Sequence, residues 1–222
     1  MTRVRGLAGL TVVSALLLSG CGGSSGFNPG VAARVDDDVV STQRVADLAV
    51  DYCAAAEPQL QGQALPNYYL NGRVAGSLAL RSAADQMLAQ YGVAADPSYA
   101  KAVKQVEQQL ADSDPAQRDA IIEVEGAESY VAAAEVSVGR QVLEGASTEK
   151  AAQEAGKKAF LAWIDDNDVQ INPRYGVSIA DGSAAAADTS LSFAVSKTAT
   201  NASGASPDTE YAAGLPSTQR CG

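Results

Sequence analysis

Not one histidine occurs in the 222 residues of this chain. That removes the usual general base at neutral pH and the commonest metal ligand. Serine-histidine triads, cysteine-histidine pairs and histidine zinc sites are excluded with it. Carboxylate pairs or a serine-lysine dyad are what remains for acid-base chemistry, and no nucleophile elbow, P-loop or metal-binding run accompanies them. No cofactor or metal is therefore expected, and the chain does not read as an enzyme. Basic residues are scarce as well, 16 Lys and Arg against 26 Asp and Glu, for a net charge of −10. Such a balance repels nucleic acid, which is not expected as a partner. The apolar stretch from Leu7 to Leu18 falls short of the roughly 20 residues needed to cross a bilayer.

What is present begins with that stretch. Arg3 and Arg5 precede it and small residues follow, which is the layout of a secretory signal. It ends in Leu18-Ser19-Gly20-Cys21, which resembles the lipobox of bacterial lipoproteins. The resemblance implies that residues 1–20 are a signal peptide and that the Cys21 thiol carries a diacylglyceryl group. The mature chain then starts at Cys21, held by lipid on the outer face of the cytoplasmic membrane. An ordinary signal peptide with a chance cysteine is the alternative. Gly22-Gly23-Ser24-Ser25-Gly26 supplies a flexible tether over residues 21–30. Without Arg3 and Arg5 the balance is 14 basic against 26 acidic residues, about −12.

With Cys21 acylated, Cys53 and Cys221 are the thiols left, and outside the membrane two cysteines usually pair. A Cys53 to Cys221 disulfide is expected. The alternative is two free thiols, Cys53 on a helix face and Cys221 at the terminus.

Ala33 to Val40 reads as a short strand or hairpin arm around the acidic turn Asp36-Asp37-Asp38. These aspartates lack the spacing and glycine of a calcium loop, so a solvated turn is the better reading. Ser41 or Thr42 then caps a helix with Val45, Leu48, Ala49, Tyr52 and Cys53 on one face. A second helix runs from about Tyr68 to Tyr91, with Leu70, Val74, Leu78, Leu88 and Tyr91 inward and Gly92 as its stop. Asp96-Pro97 opens a third, carrying Tyr99, Val103, Val106 and Leu110 at helical spacing. Asp114-Pro115 opens a long helical pattern to about Glu144, with Gly126 and Gly139 as candidate bends. Ser147 or Thr148 starts a fifth helix bearing Phe160, Leu161, Trp163 and Ile164.

Alternation then takes over. Val169, Ile171, Tyr175 and Val177, interrupted at Asn172-Pro173, suggest an edge strand. From Ala180 onward Ala, Ser, Thr and Gly dominate, and residues 178–222 read as a low-complexity tail. Leu191, Phe193 and Val195 alternate with polar residues and could add a strand. The fold expected for residues 31–177 is mostly α, with its first and last segments paired as a small sheet.

The segment Ala33 to Val45 resembles the opening of the SurA-like N-terminal domain of extracytoplasmic chaperones. Asp168 to Gly176, with Asn172-Pro173-Arg174-Tyr175, is similar to the closing segment of actinobacterial lipoproteins of that group. The resemblance, over about residues 31–177, implies a helical domain related to the chaperone region of trigger factor that holds unfolded or extended polypeptides. Many members add a parvulin prolyl isomerase domain. No segment here is available for one, so isomerase activity is not implied. An envelope scaffold that binds one folded partner is the competing expectation. Tyr68, Tyr69, Tyr91, Tyr99 and Tyr130 are candidates to line a groove or to pack in the core, and no client-binding residue is singled out. Arg174 either holds a partner's carboxylate or pairs with Asp165, Asp166 or Asp168.

Overall fold

The computed structural model describes residues 29–144, 148–187, 196 and 207–222. Cys21, the glycine-serine tether and the Leu191, Phe193 and Val195 pattern lie outside the described residues.

Strand β1 (Val31–Val35) turns through Asp36 and Asp37 into β2 (Asp38–Ser41). Asp36 takes a positive φ of 49°, which aspartate tolerates better than most residues. β1 also pairs antiparallel with β4 (Val169–Ile171), giving the order β2-β1-β4. Ala33 lies opposite Ile171 and Val35 opposite Val169. The first and last strands of the helical region are therefore joined. Ala32, Ala33 and Val35 are fully buried, as the central strand of a sheet packed on helices must be.

Helix α1 (Thr42–Ala56) starts at Ser41, whose hydroxyl accepts from the Arg44 N–H at 3.0 Å. Its buried residues are Val45, Leu48, Ala49 and Tyr52, a single stripe. α2 (Asn67–Tyr91) is different in kind. Thirteen of its residues are buried, including Leu70, Val74, Leu78, Leu80, Met87 and Leu88. They face all round the helix, the mark of a core element rather than a surface one. Gly92 closes it with φ 66°, and the Val93 N–H reaches back to the Leu88 carbonyl.

Helix α3 (Pro97–Gln109) and helix α4 (Pro115–Glu125) both carry an aspartate cap followed by proline. Asp96 accepts from the Ser98 N–H and Asp114 from the Ala116 N–H, each at 2.9 Å. The long pattern expected to reach Glu144 is divided: α4 stops at Glu125, and α5 (Ala127–Val142) begins beyond Gly126. α5 runs unbroken through Gly139. A Cβ there would lie 1.7 Å from the Ala152 carbonyl oxygen of α6 (Glu149–Asp166), so the glycine serves a close helix crossing.

Two corrections concern the end of the chain. Tyr175 and Val177 do not continue the β4 strand. Pro173–Tyr175 forms a 3₁₀ turn capped by the Asn172 side chain, and Gly176 at φ 61° redirects the backbone. Nor is the region from 178 a tail throughout. β5 (Val177–Ala180) and β6 (Ser183–Ala186) form a hairpin through Asp181-Gly182, both at positive φ. Asp-Gly is a preferred two-residue hairpin turn. The hairpin lies on α2 because Gly72 and Gly76 leave room: a Cβ would meet the Tyr175 carbonyl oxygen at 2.5 Å and the Ala184 methyl at 2.6 Å. Farther on, α7 (Thr209–Ala213) precedes β7 (Arg220–Cys221), which pairs with β3 (Leu65–Pro66).

Candidate functional site

Cys53 and Cys221 meet. Cys53 of α1 and Cys221 of β7 form a disulfide, with their Cα atoms 5.7 Å apart. Register places Leu65 opposite Cys221, and the Asn67 side-chain amide donates to the Thr218 carbonyl at 3.1 Å. The last residues are thus held against α1 and the start of α2. This arrangement is structural: Cys221 is 1% exposed and presents no accessible sulfur.

The five tyrosines do not share one groove. Tyr99 of α3 and Tyr130 of α5 meet edge to face, their centroids 4.9 Å apart. The Arg81 guanidinium of α2 lies 4.6 Å from the Tyr130 centroid and donates to the Tyr99 hydroxyl at 2.7 Å. Tyr130 in turn donates to Asp85. Burial first, then that hydrogen bond and the Asp85 charge, push the Tyr130 hydroxyl up to about 12. This cluster joins three helices through hydrogen bonds and ring contacts. Tyr68 stands apart and is 37% exposed, while Tyr69 and Tyr91 are half-buried.

A second network contains a residue that helical spacing assigns simply to the core. Tyr52 of α1 donates to Glu125 of α4, and Arg73 of α2 donates from Nε to the same carboxylate at 3.1 Å. Burial and the Glu125 hydrogen bond raise the Tyr52 hydroxyl well above its ordinary value. Three helices are again tied by one carboxylate.

Asn172, Pro173, Arg174 and Tyr175 form a corner at the sheet edge. The Asn172 side chain donates to the Val31 carbonyl at 3.0 Å and accepts from the Arg174 N–H at 3.1 Å. Tyr175 is buried, and the Arg174 guanidinium lies 5.6 Å from its centroid. Among the described residues Arg174 pairs with none of Asp165, Asp166 and Asp168. Asp36, Asp37 and Asp38 turn a hairpin, and Asp38 accepts from the Ser82 hydroxyl at 3.1 Å. Among the described residues no cluster of His, Cys, Asp and Glu with metal-ligand proximity occurs, and no helix is long and apolar enough to cross a membrane.

Two cavities flank α3. One, about 240 Å³, lies between α3, α5 and the start of α6, with Ser98, Tyr99, Ser129, Val136 and Gln153 in its wall. The other, about 250 Å³, opens between the end of α1, the end of α3 and the first turns of α4. Ala55, Pro58, Val106, Leu110 and Ile121 give it an apolar floor and sides. Arg118 is the cation in that lining. The α3 stripe of Val103, Val106 and Leu110 is legible in sequence, but its setting is not. No residue of α3 is fully buried, so one flank of the stripe borders this groove.

Comparison with protein-family models, curated proteins and solved structures finds no match to this chain.

Proposed function

We propose that this chain is a lipid-anchored protein of the outer face of the cytoplasmic membrane that binds polypeptide without catalysis. The Cys21 motif supports the anchor, and the absence of histidine supports the lack of catalysis. The resemblance of residues 31–177 to SurA-like domains supports polypeptide as the ligand.

One observation bears on how the ligand is held: the core is closed. The middle of α2, from Val74 to Leu80, is buried all round, and α1, α4, α5, the β1 sheet and the β5-β6 hairpin pack on the helix. The two cavities are each smaller than the roughly 300–1,000 Å³ of a pocket for a drug-sized ligand. Among the described residues, neither of these two cavities is a wide cleft for an unfolded chain. This favours recognition of a short segment of a specific envelope protein over general holding of unfolded chains.

The general chaperone keeps one supporting observation. α3 carries no fully buried residue and borders both cavities, so it is the helix whose displacement would enlarge them.

The two forms of binding separate in one pair of assays. A specific binder recovers a single dominant partner in a crosslinked pull-down from envelopes and leaves aggregation of unrelated unfolded proteins unchanged. A holdase slows aggregation of several such proteins at near-stoichiometric ratio. Failure of both assays overturns the polypeptide-binding reading.

A further inference from the structure

The arginines of this chain are engaged with few exceptions among the described residues. Arg44 pairs with Glu123, Arg73 with Glu125 and Arg140 with Asp96. Arg81 lies over two tyrosines, Arg174 over Tyr175, and Arg220 donates to the Ala213 carbonyl. Two depart from this pattern, Arg34 on β1 and Arg118, and of these two it is Arg118 that lines a cavity. It is half-buried in the wall of the α1, α3 and α4 groove, and among the described residues its guanidinium has no ion pair or hydrogen bond. In a chain with 26 acidic residues, an arginine left without a carboxylate beside an apolar surface has unused capacity of a definite kind. A guanidinium is a planar fork matched to a carboxylate.

We propose that this groove receives the free carboxyl terminus of a polypeptide whose last side chain is apolar. Arg118 takes the carboxylate, and Ala55, Pro58, Val106, Leu110 and Ile121 take the side chain. The proposal deepens the polypeptide-binding reading and rests on it. The volume of about 250 Å³ suits a single apolar side chain beside its carboxylate. Charge selects further. Glu57, Asp112, Asp114 and Asp119 neighbour lining positions in the sequence, and a chain of net charge −10 disfavours a further acidic side chain near the peptide end. The terminal carboxylate is then the one negative group the site favours, and basic or neutral residues are preferred just before it.

The test needs no variant at its core. The full-length chain in detergent micelles is titrated into a labelled decapeptide ending in isoleucine, once as the free acid and once as the C-terminal amide, with anisotropy as the readout. The acid is expected to bind more tightly than the amide by on the order of tenfold or more, the range of a hydrogen bond to a charged group. Arg118→Gln should abolish that preference, and Arg118→Lys, which keeps the charge and loses the fork, should restore it in part. Equal binding of acid and amide, or binding of octanoate without binding of the peptide, overturns the proposal. If acid and amide forms bind equally while a long unfolded polypeptide also binds, the site falls and the polypeptide-binding function stands. If no polypeptide binds in any form, both fall.

Discussion

Asp96 and Glu135 are two carboxylates whose surroundings act on them with opposite sign. Asp96 accepts from the Ser98 N–H and the Ser98 side chain and pairs with Arg140, and these partners lower its carboxyl from an ordinary 3.8 to about 2. The folded state holds the charged form more tightly, so the contribution is full above the ordinary value and is lost as pH falls toward 2. Asp96→Ala should cost about 1–2 kcal/mol in urea unfolding at pH 7, by loss of the helix cap, and the difference should shrink steadily below about pH 4. Glu135 is 6% exposed on α5, and burial raises its carboxyl while the Lys157 charge opposes the rise. Here the stabilising form is the neutral one. Its contribution is full below the ordinary carboxylate value and is lost as pH rises through the folded one. Glu135→Gln should therefore raise the urea midpoint at pH 7 and leave it unchanged near pH 3. A lower midpoint for the glutamine variant at pH 7 would show that the charge of Glu135 has a partner stronger than Lys157.

At the scale of elements, the crossing of α5 over α6 is set by glycine on both sides. A Cβ on Gly156 would lie 1.7 Å from the Glu135 carbonyl oxygen, and one on Gly139 the same distance from that of Ala152. Both obstacles are backbone, which cannot rotate away, so Gly156→Ala should cost about 3 kcal/mol or more in denaturant unfolding. Gly92→Ala is the contrasting case. It meets open space at φ 66° and should cost about 1 kcal/mol through conformation alone. These positions also show what the sequence made legible. Gly92, Asp96-Pro97 and Asp114-Pro115 act within a few residues of themselves, so their role as helix ends is readable from local chemistry. Gly139, Gly156, Gly72 and Gly76 act on backbone or methyl groups from distant elements, and no local pattern marks them. The β5-β6 hairpin was hidden by its alanine-rich composition, although Asp181-Gly182 carries a readable turn signal. The α1, α3 and α4 groove is assembled from positions 55–59, 106–113 and 117–121. It has no motif, and Arg118 becomes distinctive only once it is seen to lie unpaired in the wall of that groove.

For the molecule as a whole, the disulfide spans 168 residues and closes almost the entire described body into one loop. The chain-entropy model gives about 5 kcal/mol for a loop of that length, and measured values run lower. Replacing Cys53 and Cys221 with serine should cost about 2–5 kcal/mol in equilibrium unfolding. Limited proteolysis of the variant should cut first within residues 207–222, since β7 adds only a two-residue pairing with β3. A cut pattern identical to that of the disulfide form would show that the α7 and β3 contacts hold this segment unaided. The pairing of β1 with β4 has a consequence in time. A chain emerges from the ribosome, or through a membrane, with its N-terminus first, so Val31–Val35 is among the earliest segments of the body to appear. Its second neighbour in the sheet, Val169–Ile171, arrives more than a hundred residues later. The strand at the centre of the sheet must wait, one edge unpaired, until nearly all the helices have followed it, and the body can be finished only from its end.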